Sequence, residues 1–256
     1  MKSRFFLISL IFFIIACDQI GGEGSDEGNI IRDKEGKIVS GTVKQYTPGK
    51  VLKAIRNVKD YKLDGKSTLF HNDGKTVKSE IFYKMGKKEG EAKSYYSDGT
   101  LYRVFHYKND KLEGEQTKYR QNGQARSIAY YRDGEPNNQL KEYLTNGSLK
   151  KKYPKIVVES IDKTLLTGEY IVRVRMSDRS KNVTYYLGQL DKDGFVSSEA
   201  IFMGKRSNGI LDIKYTVFPG QYLVEKLELI AKVKTFQNNY YLTTKTYNVA
   251  FENRVQ

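Results

Sequence analysis

A period of 24 to 25 residues runs through the first half of the chain and restricts it to folds made by stacking one small unit. Gly74, Gly99, Gly123 and Gly147 lie 25, 24 and 24 residues apart, and so do Phe70, Tyr95, Tyr119 and Tyr143. Gly65, Gly90 and Gly114 keep the same register, as do Tyr83, Tyr107 and Tyr131. Four parallel series are not coincidence. A unit this short cannot bury a core alone, so it is stable only against its neighbours.

Each unit reads as a β-hairpin. A strand carrying an aromatic residue leads into "HNDG", "YSDG", "RQNG" or "LTNG", and a second strand returns to an aromatic pair such as Phe82-Tyr83. Asn/Asp-Gly is the strongest short hairpin signal, because both positions accept left-handed backbone. Gly74, Gly99, Gly123 and Gly147 are therefore structural turn residues. Short charged links such as "KNDKLEG" suit antiparallel neighbours. Upstream, "GTVKQYTPGK" reads as a degenerate first unit whose Gly49 falls one residue short. The fourth full unit departs, with Asn138 in the place of the earlier glycines and Lys150–Lys152 filling its return strand. The 20 Tyr, 12 Phe and 22 Gly against 4 Pro agree with an all-β chain rich in tight turns. The expected fold is an extended antiparallel sheet of hairpin repeats over 41–153.

"GKKEGEAKSYYSDGTL" and "DKLEGEQTKYRQNGQA" resemble the bacterial variant of the MORN repeat. Proteins of this kind include YwqK-type "antitoxin" repeat proteins, many of them lipoproteins. The resemblance implies a scaffold or binding surface and brings no catalytic residue. Most recurring aromatics are expected to form a cross-strand ladder. A single-layer sheet leaves part of them accessible, and the candidate binding surface comprises Tyr95, Tyr96, Tyr102, His106, Tyr107, Tyr119, Tyr130 and Tyr131.

At the N-terminus, "MKSRFFLISLIFFIIAC" has the charged start and short apolar run of an export signal over 1–17, too short to span a bilayer permanently. Its end, Ile14-Ile15-Ala16-Cys17, resembles a bacterial lipobox, which implies acylation of Cys17, the single cysteine of the chain. Several acyl chains give stable anchoring where one is marginal. The lipid bilayer is then one partner, reached through acylated Cys17. Residues 18–40, Gly-rich and poor in aromatics, read as a flexible tether. The expected location is a lipid-anchored position in the cell envelope, inner or outer membrane undecided.

From Pro154 the period stops. About seven strand-like segments over 154–256 give the expectation of an immunoglobulin- or fibronectin-like β-sandwich, without the cysteine pair or Trp of a true immunoglobulin domain. The segment "QYLVEKLELIAKVKTF" leaves a helix at its centre open as an alternative.

The net charge of +14 is spread along the chain and interleaved with acids. It reads as a solvated basic surface with weak affinity for anionic lipid or glycan, and no nucleic acid is expected as a partner. His71 and His106 fall in different units, and no metal site is expected from them. The sequence carries no nucleophile elbow, Walker loop or dinucleotide fingerprint, and no cofactor is expected. The acidic pairs Glu89/Glu91, Glu113/Glu115 and Asp191/Asp193 would serve a glycosidase only if they faced one another across a cleft. The sequence thus points to a non-catalytic binding or scaffold lipoprotein with a protein partner in the envelope. An antitoxin- or immunity-like inhibitor is the alternative, and an envelope glycan hydrolase a weaker one.

Overall fold

The computed structural model describes residues 30–254. The signal segment, Cys17 and positions 18–29 of the expected tether lie outside the described residues. The rest of that tether is not loose chain: β1 (Ile31–Arg32) pairs antiparallel with β2 (Ile38–Tyr46), so the sheet begins ten residues before the repeat does.

The repeat half is one antiparallel sheet of twelve strands, as the period predicts. After β2 come β3 (Leu52–Lys59), β4 (Lys62–Phe70), β5 (Val77–Lys84), β6 (Lys87–Tyr95) and β7 (Leu101–Lys108). Then follow β8 (Lys111–Leu112), β9 (Gly114–Tyr119), β10 (Ala125–Arg132), β11 (Glu135–Pro136) and β12 (Lys141–Glu142). From β1 to β7 each strand pairs with the next in sequence, so nearly all contacts are local. The degenerate first unit is a full hairpin, β2–β3. The fourth unit is the one that fails to close: its return strand is reduced to a bridge between Tyr143 and Leu149.

The two long sides of this sheet use different turns. On one side, as at residues 97–99, a three-residue loop closes with Tyr96 N–H donating to Thr100 O (2.8 Å) and Gly99 N–H to Tyr96 O (3.0 Å). Only the glycine is left-handed (φ 85°). Asp98 instead accepts the Thr100 N–H through Oδ1 at 2.9 Å, as Asn122 accepts Gln124 and Asn146 accepts Ser148. The Asx residue therefore closes its own turn, and left-handed backbone is demanded once per loop. In the first unit Lys50 (φ 59°) takes that position, which is why Gly49 looks misplaced. On the other side, two-residue loops have both residues left-handed: Asp60-Tyr61, Met85-Gly86, Asn109-Asp110 and Asp133-Gly134.

The C-terminal half contains seven strands and one helical turn, α1 (Thr164–Thr167). One sheet holds β13 (Ile156–Lys163), β14 (Glu169–Met176) and β17 (Leu211–Thr216) in the order β13-β14-β17. The other holds β15 (Val183–Leu187), β16 (Ile201–Arg206), β18 (Tyr222–Lys234) and β19 (Tyr240–Glu252) in the order β16-β15-β18-β19. Val172, Val174 and Met176 of the first sheet meet Val183, Tyr185, Leu229 and Val233 of the second in one core. This is the expected sandwich. The segment left open as a helix is β18, thirteen residues of strand paired along its whole length with β19. Alternation Leu227-Leu229-Ala231-Val233 decides it: these positions face the core, and a helix would scatter them.

Candidate functional site

Paired residues of an antiparallel sheet share a face, so the register sorts the repeat half into two surfaces. The inner face carries the rung Val43–Arg56–Ser67–Ile81–Ala92–Phe105, continued by Gln116–Ala129. Val43, Ser67, Ala92 and Gln116 are buried and follow the period, a ladder masked in the sequence by its changing chemistry. Tyr83, Tyr107 and Tyr131 stand on this face opposite Gly65, Gly90 and Gly114.

The outer face carries Thr68–Glu80–Lys93, Glu91–His106 and Glu115–Tyr130. Glu80 pairs with Lys66 and accepts the Tyr95 hydroxyl at 2.9 Å. The Lys66 ammonium is the main cause holding the Glu80 carboxyl below its ordinary range; burial, then the Glu80 bond, raise Tyr95. Tyr130 donates to Glu115 Oε2 at 2.9 Å, which raises the phenol, and Lys93 pairs with Glu91 at 2.9 Å. Phe82, His106 and Tyr130 occupy equivalent positions here, with Phe82 46 % exposed.

The eight residues singled out by sequence thus do not form one surface. Tyr95, His106 and Tyr130 lie on the outer face, and by its place in the period Tyr119 does too; Tyr107 and Tyr131 lie on the inner. Tyr131 is 7 % exposed, closed in beside Ala129 and Leu140 with Tyr153 and Tyr241. Tyr96 and Tyr102 pack edge-on at 5.0 Å beside the three-residue loops. Tyr96 has a structural task, donating to Tyr119 O at 2.8 Å. His71 meets Tyr95 O (3.2 Å) and Arg120 meets Tyr143 O (2.8 Å) in the same way, one unit binding the next. Three residue types do one job, so no motif betrays it.

The acidic pairs are also explained. Asp64, Glu89 and Glu113 accept the N–H of Met85, Asn109 and Asp133 at 3.0 Å each, capping the two-residue turn of the following unit. Asp191 and Asp193 both pair with Arg132 across the junction between the halves. Among the described residues no group of three His, Cys, Asp or Glu side chains is placed to hold a metal ion.

That junction is polar at its centre. Glu142, fully buried, accepts Asn239 Nδ2 at 2.7 Å, Lys150 Nζ at 2.9 Å and the Thr235 hydroxyl. Asn239 turns its Oδ1 to Lys118 Nζ (2.7 Å) and Ser127 (3.4 Å). Burial pushes the Lys118 ammonium down to about 8, helped by Arg103 and Arg126 and opposed by Glu142. The sandwich therefore sits on the inner face of the last hairpin and leaves the outer face open. Beside it, Tyr153 and Tyr241 stack at 4.5 Å under a groove of about 420 Å³ bordered by Lys151, Lys155 and Lys245.

Compared with known families, residues 88–109 match the MORN repeat variant. That span begins one residue into β6 and ends one residue after β7, a single hairpin of the sheet. Comparison with curated proteins gives no match.

Proposed function

We propose that this chain is an envelope lipoprotein, anchored through acylated Cys17, that binds a protein partner on the outer face of its repeat sheet. The observation that carries the reading is the row Phe82, His106 and Tyr130. The three are equivalent ring positions two strands apart, about 10 Å at each step, on the face the sandwich leaves open. Two exposed rings and a half-buried one among paired charges are the composition of a recognition surface with hydrophobic anchors and a polar surround. The resemblance of 41–153 to YwqK-type repeat proteins supports the lipoprotein assignment and makes a toxin the first partner class to try.

Affinity capture from detergent-solubilised membranes tests it, with the parent chain set against a Phe82→Ser/His106→Ser/Tyr130→Ser variant. A partner held by the parent and lost by the variant is expected. An identical captured set from both chains would remove the outer face from consideration. Membrane retention of Cys17→Ser would separately refute anchoring through that residue.

A further inference from the structure

At the junction between the two halves, Lys118, Lys150 and Lys232 each hold an acceptor: Asn239, Glu142 and Glu135. Lys151, Lys155 and Lys245 border the groove beside that junction and hold none among the described residues. All three are exposed. No Asp or Glu lines the groove. Its walls come from the stretches 143–158 and 235–251, neither of which contains an acidic residue. The carboxylates around these stretches are committed elsewhere. Glu142 is fully buried and takes Lys150, Glu159 pairs with Arg175, and Glu228 pairs with Lys226. Asp178 follows the Ser177 whose hydroxyl accepts the Lys155 N–H, and it accepts the Ser180 N–H at 3.0 Å and the Ser180 hydroxyl at 2.7 Å. Three ammonium groups therefore share one concavity without a counter-charge.

The concavity is the seam between two edge strands, β13 and β19. Lys151, Tyr153 and Lys155 line it as alternate residues of the segment entering β13. Tyr241, Thr243 and Lys245 line it from β19, on the face they share with Val233, Ala231 and Leu229. The two rows meet at the floor, where the Tyr153 and Tyr241 rings stack 20° from parallel and Lys150 Nζ lies 4.4 Å from the Tyr153 centroid. The hydroxyls of Thr243 and Thr244 make no hydrogen bond among the described residues. The geometry points to a binding site for a phosphomonoester dianion. A tetrahedral dianion accepts donors from several directions, which suits three separate ammonium groups and two hydroxyls. A planar carboxylate is matched best by a guanidinium fork, and no Arg lines the groove. The volume of about 420 Å³ exceeds a bare phosphate and leaves the tyrosine floor for the organic part of the ligand. The same dianion is carried by a soluble sugar phosphate and by the headgroup of phosphatidic acid. The groove is separate from the ring row proposed for the protein partner, so either can fail alone.

Two assays of the full Cys17→Ser chain test the site: isothermal titration with glucose 6-phosphate, with glucose as control, and flotation with phosphatidylcholine vesicles carrying either phosphatidic acid or an equal share of phosphatidylglycerol. Binding of glucose 6-phosphate would assign the soluble source, and binding of phosphatidic acid vesicles alone the headgroup. Whichever is bound, substitution of Lys151, Lys155 and Lys245 by Gln is expected to weaken it at least about tenfold, with a shallower salt dependence. Substitution of Lys181, Lys192 and Lys205 by Gln makes the same change in net charge and is expected to leave affinity within about threefold. The groove variant should melt with the parent, since its three side chains are exposed. If it melts lower, Lys245→Glu, a single exposed change, carries the same expectation of at least about tenfold weakening. Equal weakening in the groove and control variants would overturn the proposal in favour of diffuse net charge. Absence of binding to both phosphomonoesters would refute it, as would equal binding of phosphatidylglycerol and phosphatidic acid vesicles without binding of glucose 6-phosphate.

Discussion

Replacing Glu142 by Ala should uncouple the two halves of the molecule. The side chain is shielded from water and accepts three hydrogen bonds, from Asn239, Lys150 and Thr235. It is also the carboxylate that offsets the crowding of Lys118 by Arg103, Arg126 and Lys234. Breaking a buried pair by deleting one partner costs about 3–5 kcal/mol, most of it from the charge left behind. Lys150 can turn to water and Lys118 cannot, so we expect a loss of about 4 kcal/mol for Glu142→Ala. Glu142→Gln, which keeps one acceptor, should lose about 2 kcal/mol. Urea unfolding followed by tyrosine fluorescence and circular dichroism measures both.

The same site sets a pH dependence. Lys118 is held near 8 in the folded chain against 10.5 when unfolded. Between these limits the unfolded state binds more protons, so stability rises with pH. The full rise is worth about 3 kcal/mol at 1.36 kcal/mol per pH decade. Measurement belongs between pH 8 and 10, because Tyr153 and Tyr185, raised to about 12 by burial, withdraw stability above pH 10. In Glu142→Ala the rise should begin at lower pH. A Glu142→Ala chain within about 1 kcal/mol of the parent, with an unchanged pH profile, would refute the account of the junction.

Other substitutions separate the remaining contributions. Gly99→Ala should cost about 1–2 kcal/mol, because its φ of 85° is left-handed, whereas Lys50→Gly should gain up to about 1 kcal/mol at the equivalent position; thermal midpoints give both signs. Phe105→Ala removes an aromatic side chain buried on the sheet's inner face, 2 % exposed, and should cost about 3 kcal/mol or more in urea unfolding. Tyr185→Phe deletes the buried bond from its hydroxyl to Gly209 O, 2.8 Å, and should cost about 1–2 kcal/mol by calorimetry.

Sequence reading succeeded where one residue type answers one geometric demand. Gly74, Gly99, Gly123 and Gly147 announce their turns because left-handed backbone is cheap for glycine, and β14 announces itself by the alternation Tyr170-Val172-Val174-Met176. It faltered where several types meet the same demand. His71, Tyr96 and Arg120 all reach the carbonyl of the next unit, so their equivalence is invisible as a motif. The expected tether of 18–40 overlaps the sheet because Ile31–Arg32 becomes a strand only through pairing with Ser40 and Ile38. The Glu142–Asn239–Lys118 cluster joins residues 97 and 121 positions apart, and no local pattern could assemble it. The aromatic series was legible, but its division between faces depends on bulges, which shift the alternation by one residue beside each three-residue loop.

The stitched hairpins also make the sheet a ruler. Every period adds two strands and about 10 Å, and the eight strands from β2 to β10 set the strand that meets the sandwich about 35 Å from β2. Each unit grips only its neighbours, so one 24-residue period can be added or removed without altering the kind of junction at either end. Copy number then becomes a graded control on how far the C-terminal half stands from the first strand of the sheet.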